Sequence, residues 1–356
     1  MLRAPDGPFS VEPVTLRPLS PTQVLVKIAG TGLCHTDVRP READIWADVG
    51  PAVLGHEGSG VIEAVGTSVT EVRPGDHVVI SFASCGTCRT CRLGTPAYCL
   101  RFESLNLTGR DAEGVSHTHA VADGLPLADR WFGQSSFAEY SVVDQKNLVV
   151  VDPSLPLSLL GPLGCSMQTG AGSVFHEMDL VPGQSLAVFG AGAVGLAGVM
   201  AAKAHGAADI VVVDRDESRL EVALELGATR VIRGGDDVAA QVRGATSGVD
   251  YSLETTAVPA LITASVEVLT RPGVAVLVGA GGLLTVAPRA LAGRKVTFAF
   301  EGSAVPRVFV PQLIALWQRG LFPFERLVRT YPLAEINAAE ADAAAGKTIK
   351  PVLVPS

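Results

Sequence analysis

Hydrophobic and polar positions alternate in short runs over roughly the first 150 residues. Residues 24–28 and 60–66 show this alternation, and glycine or proline interrupts each run. A Pro-Gly-Asp sequence at residues 74–76 precedes the β-branched run His77–Ile80, as expected for a turn that leads into a strand. The pattern predicts a mainly β region, either a barrel or a packed sheet.

A different pattern follows, in which longer apolar runs alternate with segments of helical composition. Apolar runs of this kind are typical of strands buried on both faces of a parallel sheet. The predicted strands are residues 186–189, Asp209–Asp214, Val249–Glu254 and 273–279, and the predicted helices are residues 196–204, 215–228 and 260–269. Strand and helix in alternation predict a doubly wound α/β fold.

Three glycines follow the strand at residues 186–189, in the order Gly190-x-Gly192-x-x-Gly195. Gly190 permits a tight turn, Gly192 lets the backbone approach a pyrophosphate, and Gly195 lets the helix pack closely on the strand. N–H groups at the helix N-terminus can bind the phosphates. Asp214 ends the next strand, where a carboxylate can accept a hydrogen bond from a ribose 2′-hydroxyl. This order of elements predicts a dinucleotide site for NAD.

The uncharged stretch 180–202 is also long enough to suggest a membrane-spanning helix. Pro182 and Gly183 interrupt its start, however, and four further glycines lie within the remainder. A glycine-rich α/β core explains the stretch better than lipid does. We therefore expect no membrane association.

Composition limits the possible partners and locations. The 356 residues are enough for two domains, and 47% hydrophobic with 18% charged residues indicates a compact folded protein. A formal net charge of −8 and the lack of a long basic run argue against a nucleic-acid partner. Residues 1–10 have no apolar core of a secretory signal, so a cytoplasmic location is expected.

Four of the six cysteines form a cluster with the spacing Cys85-x-x-Cys88-x-x-Cys91, and Cys99 follows after seven further residues. Four thiolates at this spacing can complete a tetrahedron around zinc. Such a saturated site leaves no position for a substrate, so this zinc is expected to be structural and to fix a loop. Cysteines used as metal ligands also fit a reducing compartment.

Cys34, His56 and Cys165 are candidates for a second metal site. A single buried cysteine usually behaves as a small hydrophobic residue, and a single histidine is usually a satisfied polar one. Spacing alone does not decide whether these three side chains converge on one metal. If they converge, two cysteines, one histidine and an open fourth position suit a catalytic zinc, as in alcohol dehydrogenase.

These residues carry a resemblance to a known family. The sequence Gly-His-Glu-x-x-Gly-x5-Gly-x-x-Val at residues 55–69 matches the zinc signature of the zinc-dependent medium-chain alcohol dehydrogenases. The chain resembles that family over nearly its whole length, and is most similar to its aryl (benzyl) and allylic terpenoid alcohol dehydrogenases. The supporting segments are residues 81–85, 132–138, 162–165, 320–324, 331–333 and 347–353.

The resemblance implies a fold of two domains. A GroES-like, mainly β catalytic domain would comprise residues 1–151 and 300–356. An NAD-binding Rossmann domain, a doubly wound parallel sheet, would comprise residues 152–299. The resemblance also implies assembly as a homodimer or homotetramer.

Roles at the catalytic zinc follow from the same resemblance. Cys34, His56 and Cys165 would hold the metal, with Glu57 close behind it. Asp37 would accept a hydrogen bond from the His56 ring and so fix its tautomer and orientation. In addition, Thr36 would take the proton of the alcohol.

The resemblance implies further roles beside the cofactor. His35 and Lys350 would approach the pyrophosphate, and Thr169 would lie at the nicotinamide side. Arg219 would contact the adenosine ribose beside Asp214. Without the resemblance, His35, Lys350 and Arg219 would be read as ordinary solvated charges.

Two departures from the family bear on the chemistry. Many relatives end the proton path with a histidine five residues after the first zinc cysteine, where this chain has Arg39. Arginine stays protonated and cannot relay a proton, so the proton would leave through solvent or His35. Residues 110–130, with His117, His119 and Pro126, differ from the family and are expected to shape substrate choice.

These observations predict an NAD-dependent zinc alcohol dehydrogenase with two zinc ions per chain. Its substrate would be a primary, aromatic or allylic alcohol, which it interconverts with the aldehyde. Zinc would act as a Lewis acid, and hydride would pass to the nicotinamide. The alternatives are a thiol-dependent formaldehyde dehydrogenase of the same family and a catalytically idle protein that binds NAD and zinc.

Overall fold

The computed structural model describes residues 1–16, 18–110, 114–116 and 118–356. Its strands are β1 (Val14–Leu16), β2 (Gln23–Gly32), β3 (Glu57–Val65), β4 (His77–Ile80), β5 (Thr118–Ala120), β6 (Pro126–Leu127), β7 (Tyr140–Asp144), β8 (Leu148–Val151), β9 (Ser185–Phe189), β10 (Asp209–Asp214), β11 (Arg230–Arg233), β12 (Val249–Glu254), β13 (Leu269–Leu277), β14 (Arg294–Phe298), β15 (Val328–Pro332) and β16 (Lys350–Val354). Its α-helices are α1 (Ala43–Val49), α2 (Arg89–Arg92), α3 (Phe102–Asn106), α4 (Ser166–Gly172), α5 (Ala193–Ala204), α6 (Glu217–Leu226), α7 (Val238–Thr246), α8 (Pro259–Glu267), α9 (Pro306–Gln318) and α10 (Ile336–Ala344).

These elements form two units. The first unit comprises Met1–Cys165, Val305–Pro311 and Glu325–Ser356. The second unit comprises Ser166–Ala304 and Gln312–Phe324. The candidate metal ligands all belong to the first unit, and the glycine sequence belongs to the second.

The first unit is built on a seven-stranded sheet of order β15-β16-β2-β3-β4-β8, with β7 also paired to β2. β2 pairs antiparallel with β3 along one edge, and with β7 and then β16 along the other. Val24, Val26 and Ile28 of β2 are buried whereas Lys27 is exposed, which is the alternation that the sequence shows. Each such aliphatic burial stabilises the fold by roughly 1.5–3 kcal/mol. The predicted mainly β region is confirmed.

The second unit contains a six-stranded parallel sheet of order β11-β10-β9-β12-β13-β14. Counted from β9 as the first strand, the order is that of a doubly wound dinucleotide-binding sheet. Ala187, Phe189, Val211 and Val213 belong to the buried cluster of this unit. The apolar runs read from the sequence are therefore buried strands, and the predicted fold class is confirmed.

Two helix starts differ from those predicted. α5 begins at residue 193 rather than 196, because the extended backbone of Gly192 already forms its N-cap. α6 begins at residue 217 rather than 215, because Asp216 Oδ1 accepts a hydrogen bond from Ser218 N at 2.9 Å. Helical composition alone did not show these caps.

The last predicted helix and strand are also displaced. β13 begins four residues before the predicted residue 273, because Leu269 pairs with Val249 of β12. α8 consequently ends at residue 267 rather than 269. Tertiary pairing therefore decides this boundary.

The uncharged stretch 180–202 divides between β9 and the twelve-residue helix α5. Among the residues described, no helix is both long and apolar enough to cross a membrane.

Candidate active site

The elements that end near one another in the first unit bring the second set of metal ligands together. Cys34 follows β2 and begins the 3₁₀ turn His35–Asp37, and His56 directly precedes β3. Gly32 is paired with Glu57 across β2 and β3, so the two ligands lie at the same end of this strand pair.

Cys165 reaches the same place from a turn that packs against β4. It follows the 3₁₀ turn Gly161–Gly164. A Cβ on Gly164 would lie 2.1 Å from Ile80 O, so only glycine lets this turn approach the strand so closely. Ser81 Oγ donates to Gly164 O at 2.7 Å, and this hydrogen bond stabilises the close contact between the turn and the strand.

The candidate ligand atoms of Cys34, His56, Glu57 and Cys165 all lie within 4.8 Å of one another. His56 Nε2 is 3.1 Å from Cys165 Sγ. The question that spacing left open is answered by this geometry, because the three predicted zinc ligands converge. Two sulfurs, one imidazole nitrogen and a nearby carboxylate form a donor set that suits zinc.

Asp37 lies behind His56 and is fully buried. Its Oδ1 is 2.7 Å from His56 Nδ1 and accepts from Gly55 N at 3.1 Å, while its Oδ2 accepts from Cys34 N at 3.1 Å. The carboxylate therefore places the hydrogen of the ring on Nδ1 and leaves Nε2 as the donor atom for a metal.

The charges around these ligands favour a cation between them. A hydrogen bond from Cys165 and the positive charges of Lys350 and His56 lower the pKa of Cys34 well below its usual value, although burial opposes this. Burial alone would lower the pKa of His56, but Asp37 and Cys34 together raise it well above its usual value. The shift at Cys34 favours a thiolate, and the shift at His56 favours a positive charge beside it, which a divalent metal ion supplies when it is bound.

Glu57 and Lys350 form a buried ion pair beside the ligands. Lys350 Nζ donates to both carboxylate oxygens of Glu57 at 3.0 Å and to Leu33 O at 3.2 Å. Burial opposes the charge on Lys350, but Glu57 and Cys34 raise its pKa. A Cβ on Gly32 would lie 2.0 Å from Glu57 Oε2, so glycine at this position makes room for the carboxylate.

This pair bears on two of the predicted roles. The three hydrogens of the Lys350 ammonium are directed to Glu57 and Leu33 rather than to solvent, because a buried carboxylate needs a countercharge. The predicted contact of Lys350 with the pyrophosphate stays a prediction. Glu57 is close enough to the sulfurs to be a ligand, and it shares its charge with Lys350.

Thr36 and His35, which are predicted to handle the proton, and Arg39, which stands in place of the relay histidine, differ in exposure. Thr36 is half-buried, and its Oγ1 lies 3.9 Å from Cys34 Sγ. His35 is exposed. Arg39 is half-buried, and its Nε donates to Glu42 Oε1 at 3.3 Å. Thr36 thus carries the hydroxyl nearest to a predicted zinc ligand in this turn.

The four cysteines of the other cluster also converge. Their sulfurs lie within 4.8 Å of one another, with 3.9 Å between Cys85 and Cys91 and 3.9 Å between Cys88 and Cys99. Backbone N–H groups donate to these sulfurs, for example from Cys88 to Cys85 at 3.3 Å and from Cys85 to Cys99 at 3.4 Å. Such donors stabilise thiolates, so the cluster fits the predicted structural zinc.

The ionisation of the cluster supports this assignment. The Thr90 hydroxyl and backbone N–H groups lower the pKa of Cys88 to about 5. Burial and the neighbouring Cys88 raise the pKa of Cys91 to about 12. Thiols packed this closely resist full ionisation unless a cation neutralises them, which zinc does.

The glycine sequence of the second unit has the geometry of a phosphate-binding loop. Gly190 has φ of +101°, in the region that glycine favours, and a Cβ on Gly195 would lie 1.8 Å from Gly190 O. No atom lies within 4 Å of a Cβ placed on Gly192, so the loop has room there for a ligand. The three predicted glycine roles are consistent with these positions.

Asp214 is bound to this loop. Its Oδ2 accepts from Ala191 N at 2.7 Å, and its Oδ1 accepts from Asp216 N at 2.9 Å. Arg219 lies nearby on α6, with its Nε 4.0 Å from Asp216 Oδ2. Thr169 is half-buried on α4 in the same unit.

Part of the segment 110–130 is described. β5 and β6 within it join β1 in a three-stranded sheet, and His119 O accepts from Thr15 Oγ1 at 3.4 Å. His117 and residues 111–113 lie outside the described residues. The predicted influence of this segment on substrate choice stays a prediction.

Two residues that hold His56 were not singled out from the sequence. Gln134 Nε2 donates to His56 O at 2.8 Å, and its Oε1 accepts from Gly58 N at 3.0 Å. The ring of Phe132 stacks on the His56 ring. Both residues lie in the segment 132–138, which the sequence marked only as typical of the family.

Known proteins are similar to this chain in sequence and in fold. Residues 20–153 match the family described as Alcohol dehydrogenase GroES-like domain, and residues 193–318 match the Zinc-binding dehydrogenase family. The geraniol dehydrogenase of Castellaniella defragrans is 40% identical, over 99% of this chain and 96% of that protein. The chain belongs to the zinc-dependent medium-chain alcohol dehydrogenases.

Two solved structures resemble this dehydrogenase closely. An alcohol dehydrogenase zinc-binding domain protein from Burkholderia ambifaria is 46% identical with a TM-score of 0.94, covering 99% of this chain and 96% of that one. The benzyl alcohol dehydrogenase of Acinetobacter calcoaceticus is 41% identical with a TM-score of 0.91, covering 96% of this chain and 94% of that one. The predicted family, the GroES-like and Rossmann fold and the NAD-dependent oxidation of alcohols are confirmed.

Proposed function

We propose that this dehydrogenase interconverts primary aromatic or allylic alcohols and their aldehydes, at a zinc held by Cys34, His56 and Cys165. The observation that carries the site is the convergence of these donors, with Asp37 at 2.7 Å behind the ring of His56. The substrate class is supported by two relatives, which are named for geraniol and benzyl alcohol. Phe132 stacks on the His56 ring and Trp131 meets the Phe132 ring edge-on, and such aromatic surroundings suit an apolar substrate.

The residues of the chain would divide the work as follows. A zinc ion held by Cys34, His56 and Cys165 would supply Lewis acidity, and NAD bound at the glycine sequence would supply the hydride acceptor. The Thr36 hydroxyl takes the proton of the alcohol, and the proton leaves through solvent or the exposed His35. Asp37 keeps the His56 ring in one tautomer. The Glu57–Lys350 pair balances charge beside the thiolates.

The cofactor residues complete the proposal. Gly190, Gly192 and Gly195 would cradle the pyrophosphate, and Asp214 with Arg219 would hold the adenosine ribose. His35 and Lys350 would approach the pyrophosphate, and Thr169 would lie beside the nicotinamide. Residues 1–151 with 300–356 would act as the catalytic domain, and residues 152–299 as the NAD domain.

We further propose a cytoplasmic homodimer or homotetramer. All six cysteines lie in two groups that could hold metal ions, and this use of cysteine supports a reducing compartment. Light scattering on purified protein, measured with both zinc ions bound, would distinguish the two assemblies.

Initial rates over matched pairs of alcohols test the substrate proposal. Benzyl alcohol is compared with cyclohexylmethanol, which has the same carbon skeleton without the aromatic ring. Geraniol is compared with citronellol, which lacks only the allylic double bond. We expect higher kcat/KM for the conjugated member of each pair, because its aldehyde product is conjugated with the adjacent π-system.

Other outcomes would favour the alternatives. Equal efficiency within both pairs would contradict an aromatic or allylic preference. Oxidation of formaldehyde only when a thiol is added would favour the thiol-dependent enzyme. Absence of turnover in either direction, with both zinc ions and NAD bound, would favour an idle binding protein.

A preference for NAD over NADP is expected from Asp214. Its carboxylate would repel the 2′-phosphate of NADP at the position where it bonds a ribose hydroxyl. Asp214→Asn keeps an oxygen for Ala191 N and removes the charge. We expect the ratio of kcat/KM for NAD over NADP to fall by about 10- to 100-fold, or roughly 1.4–2.7 kcal/mol, since juxtaposed like charges are unfavourable.

Asp216→Asn is the matched control for this prediction. It removes a carboxylate two residues away, which caps α6 rather than the glycine loop. The control should keep the parental cofactor ratio. Equal efficiency of the parent enzyme with NAD and NADP would contradict the role of Asp214.

A further inference from the structure

The His56 ring is covered on one face by an aromatic ring. The ring centroids of His56 and Phe132 are 4.5 Å apart with an interplanar angle of 30°, and both side chains are buried. Asp37 and Cys165 contact the two nitrogens at the edge of the imidazole. Contacts at the edge fix the direction of the ring, whereas a contact on its face limits how far its plane can tilt.

The residue that carries this ring, Phe132, has a strained backbone conformation. Phe132 has φ of 51° and ψ of 33°, in the left-handed region that non-glycine residues rarely adopt. Gly133 N donates to Arg130 O at 2.7 Å, and Trp131 N donates to Ser135 Oγ at 2.8 Å, so the turn is closed by hydrogen bonds. Such strain persists only where the surroundings enforce it, and it clusters at functional sites.

The ring of Phe132 is itself supported from behind. The ring of Phe102 meets it edge-on, with centroids 6.3 Å apart at 85°. Phe102 begins α3, and its N–H donates to the carbonyl oxygen of Cys99 at 2.8 Å. A line of direct contacts therefore runs from the four-cysteine cluster through Phe102 and Phe132 to His56.

We propose that Phe132 is a positioning residue that fixes the plane of the His56 imidazole, with Phe102 as its support. A loss of order in the four-cysteine cluster would therefore loosen the orientation of the His56 ring at the catalytic metal. The proposal rests on His56 being a zinc ligand, which the metal content of His56→Ala tests separately. Ordinary core packing is the competing explanation for these rings.

Release of zinc from the holoenzyme to a chelator distinguishes the two explanations. Phe132→Leu keeps apolar bulk and removes the stacked ring. We expect the release rate of one zinc to rise between about twofold and tenfold, the size of an aromatic pair interaction. The cobalt(II)-substituted variant should show a shifted visible absorption band, because the imidazole plane is less fixed.

Phe9→Leu is the matched control. Phe9 belongs to the same buried cluster and also meets a ring edge-on, that of Phe137 at 5.9 Å. This control should lower the melting temperature about as much as Phe132→Leu, with parental zinc release and a parental cobalt spectrum. Equal effects of both substitutions on release and spectrum, or parental values in both, would overturn the proposal.

Phe102→Leu is a second test of the proposal, and it can be used even if Phe132→Leu does not fold. Phe102→Leu should change the zinc release rate and the cobalt spectrum in the same direction as Phe132→Leu, but by a smaller amount. The double variant should show less than the sum of the single effects, because the two rings act through one contact. Strict additivity, or a parental spectrum in Phe102→Leu, would contradict the support by Phe102.

Discussion

Replacing His56 with alanine is expected to lower kcat/KM at least about 10³-fold, which is roughly 4 kcal/mol of barrier or more. His56 supplies the nitrogen that lies 3.1 Å from Cys165 Sγ, so its loss removes one of the three proposed zinc ligands. The fold should persist, because Asp37 still accepts from Cys34 N and Gly55 N. Metal analysis should find one zinc per chain in place of two.

Cys91→Ser is the complementary variant. Cys91 Sγ lies 3.9 Å from Cys85 Sγ in the other cluster, so this variant should lose the structural zinc and keep the ligands of the catalytic one. We expect a lower melting temperature and less soluble protein, since a structural zinc contributes directly to folding. A single zinc in well-folded parent protein, or two in His56→Ala, would contradict the assignment of two sites.

Replacing Thr36 with alanine is expected to lower kcat by about 10²- to 10⁴-fold, the usual contribution of a general acid–base group. Its Oγ1 lies 3.9 Å from Cys34 Sγ, close to where the alcohol oxygen would bind. Zinc content and NAD affinity should stay at parental values, because Thr36 is neither a metal ligand nor part of the glycine loop. Thr36→Ser should keep much of the activity, since the hydroxyl survives.

Arg39→Gln is the control for the proton path. The guanidinium pairs with Glu42 and cannot accept a proton, so the rate should stay within about tenfold, under ~1.4 kcal/mol of barrier. Arg39→His would add a group that titrates near neutral pH and is expected to raise the rate there. The pH–rate profiles of these variants are measured together. Parental rates for Thr36→Ala across the whole profile would exclude Thr36 as the relay.

The strands were readable from the sequence because their patterns are local. Asp209–Asp214 and Val249–Glu254 have the bounds that the apolar runs predict. Spacing could not reveal that Cys34, His56 and Cys165 meet, since their approach depends on strand pairing and on a turn after residue 160. The resemblance to a family supplied what periodicity did not.

Other features had no local signal at all. The pairing of Glu57 with Lys350 joins residues 293 positions apart. The left-handed backbone of Phe132 contradicts the usual preference of phenylalanine, so no propensity predicts it. Both features lie near the metal site, where a buried charge or a fixed ligand is kept at a cost in folding free energy.

The close approach of Gly32 to Glu57 also constrains how this sequence can change in evolution. Any side chain at position 32 would displace the carboxylate, since a Cβ would lie 2.0 Å from its Oε2. Displacing the carboxylate would in turn leave Lys350 as a buried cation without its partner. In homologous sequences, a residue other than glycine at position 32 should therefore be found only where positions 57 and 350 have changed as well. Positions 32, 57 and 350 are therefore expected to change together, although they lie far apart in the sequence.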